Sequence, residues 1–409
     1  MPSLYIHIPF CQKKCIYCSF YSIEALEGKD RFLDAIVREI DMRADLLETE
    51  AEAPRSYETV FFGGGTPSLL SPEELGGIMR RLRERFVIEP DAEITMECNP
   101  GTLNREWLAG YRALGVNRLS FGVQSFHDDE LTFLSRIHSA DEARRSIALA
   151  RETFENVSID LIFALPGQTH ERWRHNLREA VELDTAHISA YSLIFEEGTR
   201  LNLMRLNGQV TPAIDSTEAE MFEETVAWLG SHGYRQYEVS NHARPGRECR
   251  HNLGYWERRT YISFGPSAHG FLRHNDGCGQ RWANISNLAA WLDAVDAGRL
   301  PIATREKLTP IIALEETVML GLRSRGILLE DFDRIAGAGL SDIVPDLVSM
   351  LEREGYGRLG ADRLTLTAKG YLFADRFALQ IIHAAERALP HLDDAKPLRP
   401  ASLQLRVIG

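Results

Sequence analysis

The sequence predicts an α/β protein: a partial parallel α/β barrel of the TIM type, followed by a small C-terminal helical, winged-helix-like domain. Three observations lead there. Short apolar runs rich in β-branched and aromatic residues alternate with longer segments of helical period. The alternation repeats six times over the first two thirds of the chain, and strands that alternate with helices pair as parallel βα units. After about residue 300 the rhythm gives way to helices and a short hairpin pattern. A doubly wound sheet fits the same periodicity, so both windings stay open at this level.

The elements follow in order. Strands are expected at 4–8, 59–62, 93–97, 118–123, 157–163 and 187–194, with a seventh at 234–239. Helical period marks 30–47, 72–86, 105–114, 140–152, 170–183 and 217–230. Ser71-Pro72-Glu73-Glu74 offers a cap, a first-turn proline and acidic residues that suit the positive end of a helix dipole. Ser139 and Glu142 have capping-box spacing. Beyond the barrel, 313–325 and 345–354 read as helices, and 357–367 as two short strands joined by a turn, with another helix after them. These assignments divide the chain into a barrel segment at 1–300, a helical, winged-helix-like segment at 301–395, and a tail at 396–409.

Composition excludes some functions. The 409 residues carry a formal charge of −13, which disfavours a nucleic-acid binder, because phosphate contacts need a basic surface. Arg80, Arg81, Arg83 and Arg85 cluster, but on a helical pattern that reads as a solvated face. No apolar run reaches the ~18 residues of a spanning helix. The first residues show neither a basic n-region nor an apolar h-region, so a cytoplasmic, reducing setting is expected. There, clustered cysteines point to metals or catalysis rather than disulfides.

Three of the six cysteines fall in Cys11-Gln12-Lys13-Lys14-Cys15-Ile16-Tyr17-Cys18, a C-x3-C-x2-C spacing. Thiolates are the usual ligands of iron–sulfur clusters, and one loop can present them to adjacent irons. Three ligands leave one iron of a [4Fe–4S] cluster open for chemistry. A structural zinc would want a fourth ligand, which His7 could supply. Cys98 and Cys278 have no spaced partner, so packing is their expected role.

The motif follows a first strand, has Tyr17 before its third cysteine, and is preceded by Tyr5-Ile6-His7-Ile8-Pro9-Phe10. It resembles the radical-SAM superfamily. Within that superfamily it is similar to the oxygen-independent coproporphyrinogen III dehydrogenases (HemN type) and the related haem chaperones (HemW). The resemblance runs from residue 5 to at least 270. It implies a cluster on Cys11, Cys15 and Cys18 that reduces S-adenosylmethionine (SAM) by one electron, giving methionine and a 5′-deoxyadenosyl radical.

The SAM pocket implied by the resemblance starts at Gly63-Gly64-Gly65-Thr66-Pro67, where Gly64, Gly65 and Thr66 match the segment that holds the SAM amino group. A tight βα turn is the plainer use of such glycines. Glu97, Gln124 and Asp160 recur at or near the ends of apolar strands, where α/β barrels build their sites. Each could instead cap the following helix. A ligand ribose and amine would supply the partners that buried Glu97 and Asp160 need. Arg136, in Leu134-Ser135-Arg136-Ile137-His138, resembles the carboxylate-binding arginine, and its guanidinium fork suits that group. Tyr5 and Tyr17 match positions that contact cluster and SAM; Tyr5 also reads as a plain strand aromatic.

Two features separate the related families. The dehydrogenases carry a further cysteine two residues after the third, where this chain has Phe20. That puts decarboxylation of coproporphyrinogen III in doubt and leaves it as the rival function. The segment His251-Asn252-Leu253-Gly254-Tyr255-Trp256 resembles the HNxxYW motif of the haem chaperones. It implies His251 as a haem ligand, with Asn252, Tyr255 and Trp256 around the macrocycle; Cys249, two residues before His251, offers an alternative thiolate. An ordinary loop histidine is the bland alternative. The expected function is a haem chaperone with cluster, SAM and haem. Its implied partners are acceptor proteins such as membrane cytochromes, met peripherally at the membrane, and a second copy in a homodimer. A zinc-structured adaptor that binds nucleic acid is the reading from another class, and the net charge weighs against it.

Overall fold

The computed structural model describes residues 2–389. The tail expected at 396–409, and the end of the 301–395 segment, lie outside them. The described residues form two compact units. The first takes the chain up to Leu272 together with Arg281–Arg305; the second takes Arg273–Gln280 and the chain from Glu306 on.

In the first unit, β1 (Ser3–Ile8), β2 (Tyr57–Gly64), β3 (Ile88–Cys98), β4 (Arg118–Gln124), β5 (Asn156–Phe163) and β6 (His187–Ser192) lie side by side in chain order, each parallel to the next. A doubly wound sheet reverses its strand order at a switch point. These six do not, so they wind as a barrel. The expected helices are α1 (Lys29–Glu48), α2 (Pro72–Arg85), α3 (Arg105–Ala113), then, past a short α4 (Asp128–Phe133), α5 (Ala140–Arg151) and α6 (His170–Glu182), and, past a short α7 (Arg200–Leu206), α8 (Asp215–Ser231). Capping boxes at Ser71/Glu74 and Ser139/Glu142 start α2 and α5. Arg81 and Arg85 pair with Asp41 of α1, which neutralises part of the arginine cluster.

The seventh parallel strand expected at 234–239 is a correction. Tyr237 N donates to Asn241 O at 3.1 Å, which turns the chain back after β7 (Arg235–Gln236). The returning β8 (Asn241–Ala243) then pairs antiparallel with both β7 and β6. After α9 (Arg250–Trp256), β9 (Tyr261–Phe264) adds parallel to the other side of β1. The sheet continues through β10 (His269–Arg273), β11 (Gly279–Asn284) and, past α10 (Leu288–Asp296), β12 (Ile302–Leu308). Its outer strands are β12 and β7, so the barrel is partial.

The strands alternate strictly. Leu4, Ile6, Ile8, Val60, Phe62, Met96, Leu119, Phe121, Val123, Val157, Ile159 and Leu161 are buried on the helix side. Each such side chain stabilises the fold by about 1.5–3 kcal/mol on burial. The opposite row includes Tyr5, His7, Thr59, Phe61, Glu93, Thr95, Glu97, Arg118, Ser120, Ser158, Asp160 and Ser189. Barrels of this type normally fill that row with Val, Ile and Leu. Here the lumen is polar, which costs stability unless the groups find partners.

The second unit runs α11 (Pro310–Leu322), β13 (Ile327–Leu328), α12 (Leu329–Ala336), α13 (Leu340–Ile343), α14 (Pro345–Arg353), β14 (Gly357–Leu359), β15 (Arg363–Leu366), α15 (Ala368–Tyr371) and α16 (Ala374–Ala388). β15 lies between β13 and β14, antiparallel to both. Helices followed by this hairpin give the winged-helix-like arrangement. Its core includes Leu314, Leu322, Phe332, Leu351, Phe377 and Ile381, and Cys278 packs into it. Among the described residues, no helix is long and apolar enough to cross a membrane.

Candidate functional site

The cysteine loop leaves the C-terminal end of β1. Ile23 N donates to Pro9 O at 2.8 Å and Cys11 N to Ile23 O at 2.9 Å, so the loop is closed at its base. Cys11, Cys15 and Cys18 are all free thiols on it. The glycine turn after β2 folds onto this loop: Gly65 N donates to Ile8 O at 2.8 Å and Thr66 N to Phe10 O at 2.7 Å. Gly64 sits at φ +109°, and a Cβ there would lie 2.5 Å from the His7 ring. A Cβ at Gly65 would lie 2.6 Å from Phe10 O. Gly65 is thus required by the backbone at the base of the cysteine loop, and Gly64 by its positive φ and the His7 ring, whatever else the turn holds.

A hydrogen-bonded chain then links two of the thiols through three further elements. Thr66 Oγ1 donates to Cys11 Sγ at 3.5 Å, and Asn99 Nδ2 donates to Thr66 Oγ1 at 3.1 Å. Arg136 Nη2 donates to Asn99 Oδ1 at 2.7 Å and to Gly122 O at 2.6 Å, while Nη1 donates to Cys15 Sγ at 3.3 Å. Arg136 Nε is buried without a partner. Gln124 ends β4 in the left-handed region at φ 72°, beside a register shift against β5, and packs its amide across Gly122. Tyr17 packs at the edge of an apolar cluster of Ile16, Leu134, Ile162, Leu165, Leu193 and Leu201.

The electrostatics are unsatisfied. Burial raises the Cys11 thiol and pushes that of Cys18 up to about 11. Glu97 accepts from Gly64 N at 3.1 Å, yet burial and then the nearby Asp160 push it up to about 7. Burial also raises Asp160, although Ser120 Oγ donates to it at 3.3 Å. Thiols of this kind become ligands when a metal replaces the proton. The three thiols therefore fit an iron–sulfur cluster. Arg136 Nε and the two carboxyls fit a neighbouring ligand with both acidic and basic groups. A single structural zinc would need a fourth ligand beside the three thiols. His7 is committed elsewhere, with Tyr5 OH at 3.2 Å from Nδ1 and Tyr21 O at 2.8 Å from Nε2.

The HNxxYW segment is not in this cluster and is not a loop. It forms α9, at the opposite end of the lumen. His251 is 1% exposed. Its Nδ1 lies 2.7 Å from Thr59 Oγ1 and its Nε2 2.9 Å from Tyr255 OH. Burial, then the Arg118 charge, pushes its pKa down to about 3, so the ring is neutral. Trp256 is buried, and Asn252 and Tyr255 are partly so. In this conformation neither imidazole nitrogen is open to a metal. Cys249 is no better placed: it is fully buried, its Sγ donates to Glu93 Oε1 at 3.5 Å, and burial pushes the thiol up to about 12.

Sequence reading missed Asn99, and it weighed His7 only as a fourth zinc ligand. Asn99 directly follows β3, next to the predicted Glu97, and belongs to no motif; only the strand register reveals its role. His7 was visible in Tyr5-Ile6-His7-Ile8, where strict alternation puts it on the lumen row with Tyr5.

Comparison with known proteins identifies the family. The radical SAM superfamily model matches residues 5–180, and the HemN C-terminal domain model matches residues 308–373. A Bacillus subtilis protein named heme chaperone HemW is 35% identical over 383 residues, covering 92% of this chain and 97% of the relative. The Escherichia coli protein of that name is 40% identical over 281 residues, 67% of this chain and 71% of its own. The mouse mitochondrial radical S-adenosyl methionine domain-containing protein 1 is 37% identical, with 79% and 73% covered. Among solved structures, Escherichia coli coproporphyrinogen III oxidase (HemN), described as a radical SAM enzyme, superimposes with a TM-score of 0.77. It is 25% identical and covers 93% of this chain and 89% of its own. The fold thus implies a [4Fe–4S] cluster and SAM, and the chain belongs to the HemW family of radical-SAM proteins.

Proposed function

We propose that this protein is a haem chaperone, which binds a [4Fe–4S] cluster through Cys11, Cys15 and Cys18, takes SAM beside it, and delivers haem to acceptor proteins. Phe20 carries the choice over decarboxylation, because it stands where the dehydrogenase group has its further cysteine. The near full-length likeness to relatives named heme chaperone supports it. Membrane cytochromes as acceptors, a homodimer and a cytoplasmic location belong to the same proposal.

Each residue near the mouth has a role in this reading. Gly64, Gly65 and Thr66 present backbone and hydroxyl to the SAM amino group. Arg136 turns its one unpartnered nitrogen to the SAM carboxylate. Glu97 and Asp160 accept from the amine and ribose, and Gln124 lines the same wall. Tyr5 and Tyr17 exclude water on either side. When bound, the cluster supplies an electron to the SAM sulfonium. For haem, the candidates from the sequence are His251, Asn252, Tyr255 and Trp256. His251 reaches an iron only after its bond to Tyr255 or Thr59 opens.

The test is an anaerobic one. The reconstituted protein is titrated with haem and, in parallel, given coproporphyrinogen III, SAM and a reductant. The expected result is a saturable haem absorbance and no protoporphyrinogen. Robust protoporphyrinogen formation would establish the dehydrogenase instead.

A further inference from the structure

The HNxxYW segment is built as a floor. Thr59, near the entry end of β2, and Glu93, midway along β3, are register partners. His251 bonds to the first, and α9 is capped by the second. Glu93 accepts from Arg250 N and His251 N, both at 3.1 Å. A carboxylate there satisfies donors that every helix leaves open at its N-terminus. The His251 ring stacks on Phe61 at 4.7 Å and 25°, meets the Tyr255 ring edge-on at 4.9 Å, and lies 6.3 Å from Tyr5. A haem iron sits at the centre of a wide rigid plane, so its axial histidine must stand clear of its neighbours on that side. His251 stands clear of none.

The floor connects upward. Tyr5 stacks on Phe61 at 6.2 Å and 24°. Its hydroxyl meets His7 Nδ1, and His7 Nε2 meets the carbonyl of Tyr21 in the cysteine loop. A carbonyl only accepts, so Nε2 carries the proton and the Tyr5 hydroxyl donates to Nδ1. The His7 ring in turn fills the space under Gly64. Floor, Tyr5, His7, glycine turn and cysteine loop form one continuous column.

We infer that His251 is a positioning residue, which holds Tyr5 and His7 beneath the Gly64 turn and the cysteine loop, and that it is not the iron ligand of haem. The inference rests on the reading that SAM binds at the Gly64 turn. It deepens that reading by giving the HNxxYW segment a part in SAM binding.

His251→Ala and His251→Gln test it in the reconstituted full chain. Glutamine can bond to both Thr59 and Tyr255, but is a poor substitute for imidazole on haem iron. SAM affinity is followed through the change that SAM makes in the electron paramagnetic resonance of the reduced cluster. The axial ligands of ferric haem are read by the same method. His251→Ala should weaken SAM about tenfold, on the scale of a lost buried hydrogen bond, with His251→Gln restoring most of it. Both variants should keep the wild-type ferric haem signature. Unchanged SAM affinity in His251→Ala overturns the positioning role. An altered haem signature in His251→Gln overturns the inference altogether. Should His251→Ala not fold, Tyr255→Phe replaces it and must weaken SAM to a smaller degree; no weakening overturns the role. A wild-type protein that takes up no haem sinks the chaperone reading alone, because the SAM measurements still decide the role of His251.

Discussion

The two ends of the barrel contain similar chemistry in opposite states. At the mouth, two carboxyls share one space, so that Asp160 raises Glu97, and Arg136 keeps an unpartnered nitrogen. On the floor, His251, Glu93, His187 and Tyr237 are paired: Tyr237 OH meets His187 Nε2 at 2.7 Å, and Ser158 Oγ meets His187 Nδ1 at 2.7 Å. Arg118 Nε and the Oγ1 of its register partner Thr95 are exceptions on the floor, although Glu93 and Cys249 face the Arg118 charge. Satisfied polar groups hold a structure in one arrangement, whereas unsatisfied ones mark where a ligand completes it. A histidine motif read from sequence does not reveal which state it is in. The partners decide that.

The sharpest break of the contrast is at the mouth. Cys15→Ala removes one thiol from the cluster set and the acceptor of Arg136 Nη1. The expected result is loss of the cluster, measured as bound iron and sulfide after anaerobic reconstitution. Retention of a full cluster would mean that the ligand set lies elsewhere. Arg136→Lys is milder. An ammonium is a point charge and cannot reach Cys15, Asn99 and Gly122 as a planar fork does. The cluster should remain while SAM binding weakens about 10- to 100-fold, the range for a lost charge-assisted contact.

Glu97 tests the mouth by pH. Its folded pKa of about 7 lies above the ordinary 4.5. Between these values the folded state holds a proton that the unfolded chain has released. The contribution of Glu97 to the stability of the ligand-free barrel therefore falls as pH rises through that window. An amine beside the carboxylate favours its anion, so SAM affinity should rise from pH 6 to pH 8. Below the pKa it should fall about tenfold per pH unit. Thermal shifts with and without SAM at the two pH values read this directly, and Glu97→Gln should flatten the slope. A slope that survives in Glu97→Gln assigns the proton to another group.

Much of this was legible beforehand because it is local. Apolar alternation gave the six parallel strands, Ser71 and Ser139 gave helix starts, and cysteine spacing gave the loop. What stayed hidden depends on distant partners. The cap of α9 is Glu93, 157 residues before Arg250, so no signal beside Cys249 announces a helix. Asn99 matters only because register places it between Thr66 and Arg136. The fate of 234–239 was set by a turn at Glu238–Ser240 that residue preferences alone do not mark. Phe20 was legible, and at 39% exposed it pays no packing penalty that would explain it structurally.

The smallest effect expected comes from repeating the cysteine substitution on the floor. Cys249→Ala deletes a sulfur as buried as any in the chain, but one whose thiol, pushed up to about 12, stays protonated at neutral pH. No second cysteine is spaced beside it to share a cluster, and its sulfur faces Glu93. What is lost is a weak bond to Glu93, which still accepts from two backbone donors of α9, and a small volume of packing. A stability loss of about 1 kcal/mol follows, on the scale of an ordinary core truncation. Iron, sulfide and the haem spectrum should match the wild type. The same change at Cys15 abolishes the cluster, so the pair isolates environment from chemistry. An altered haem spectrum in Cys249→Ala would mean that the floor opens to ligand, and that the pairing around His251 is only one of its states.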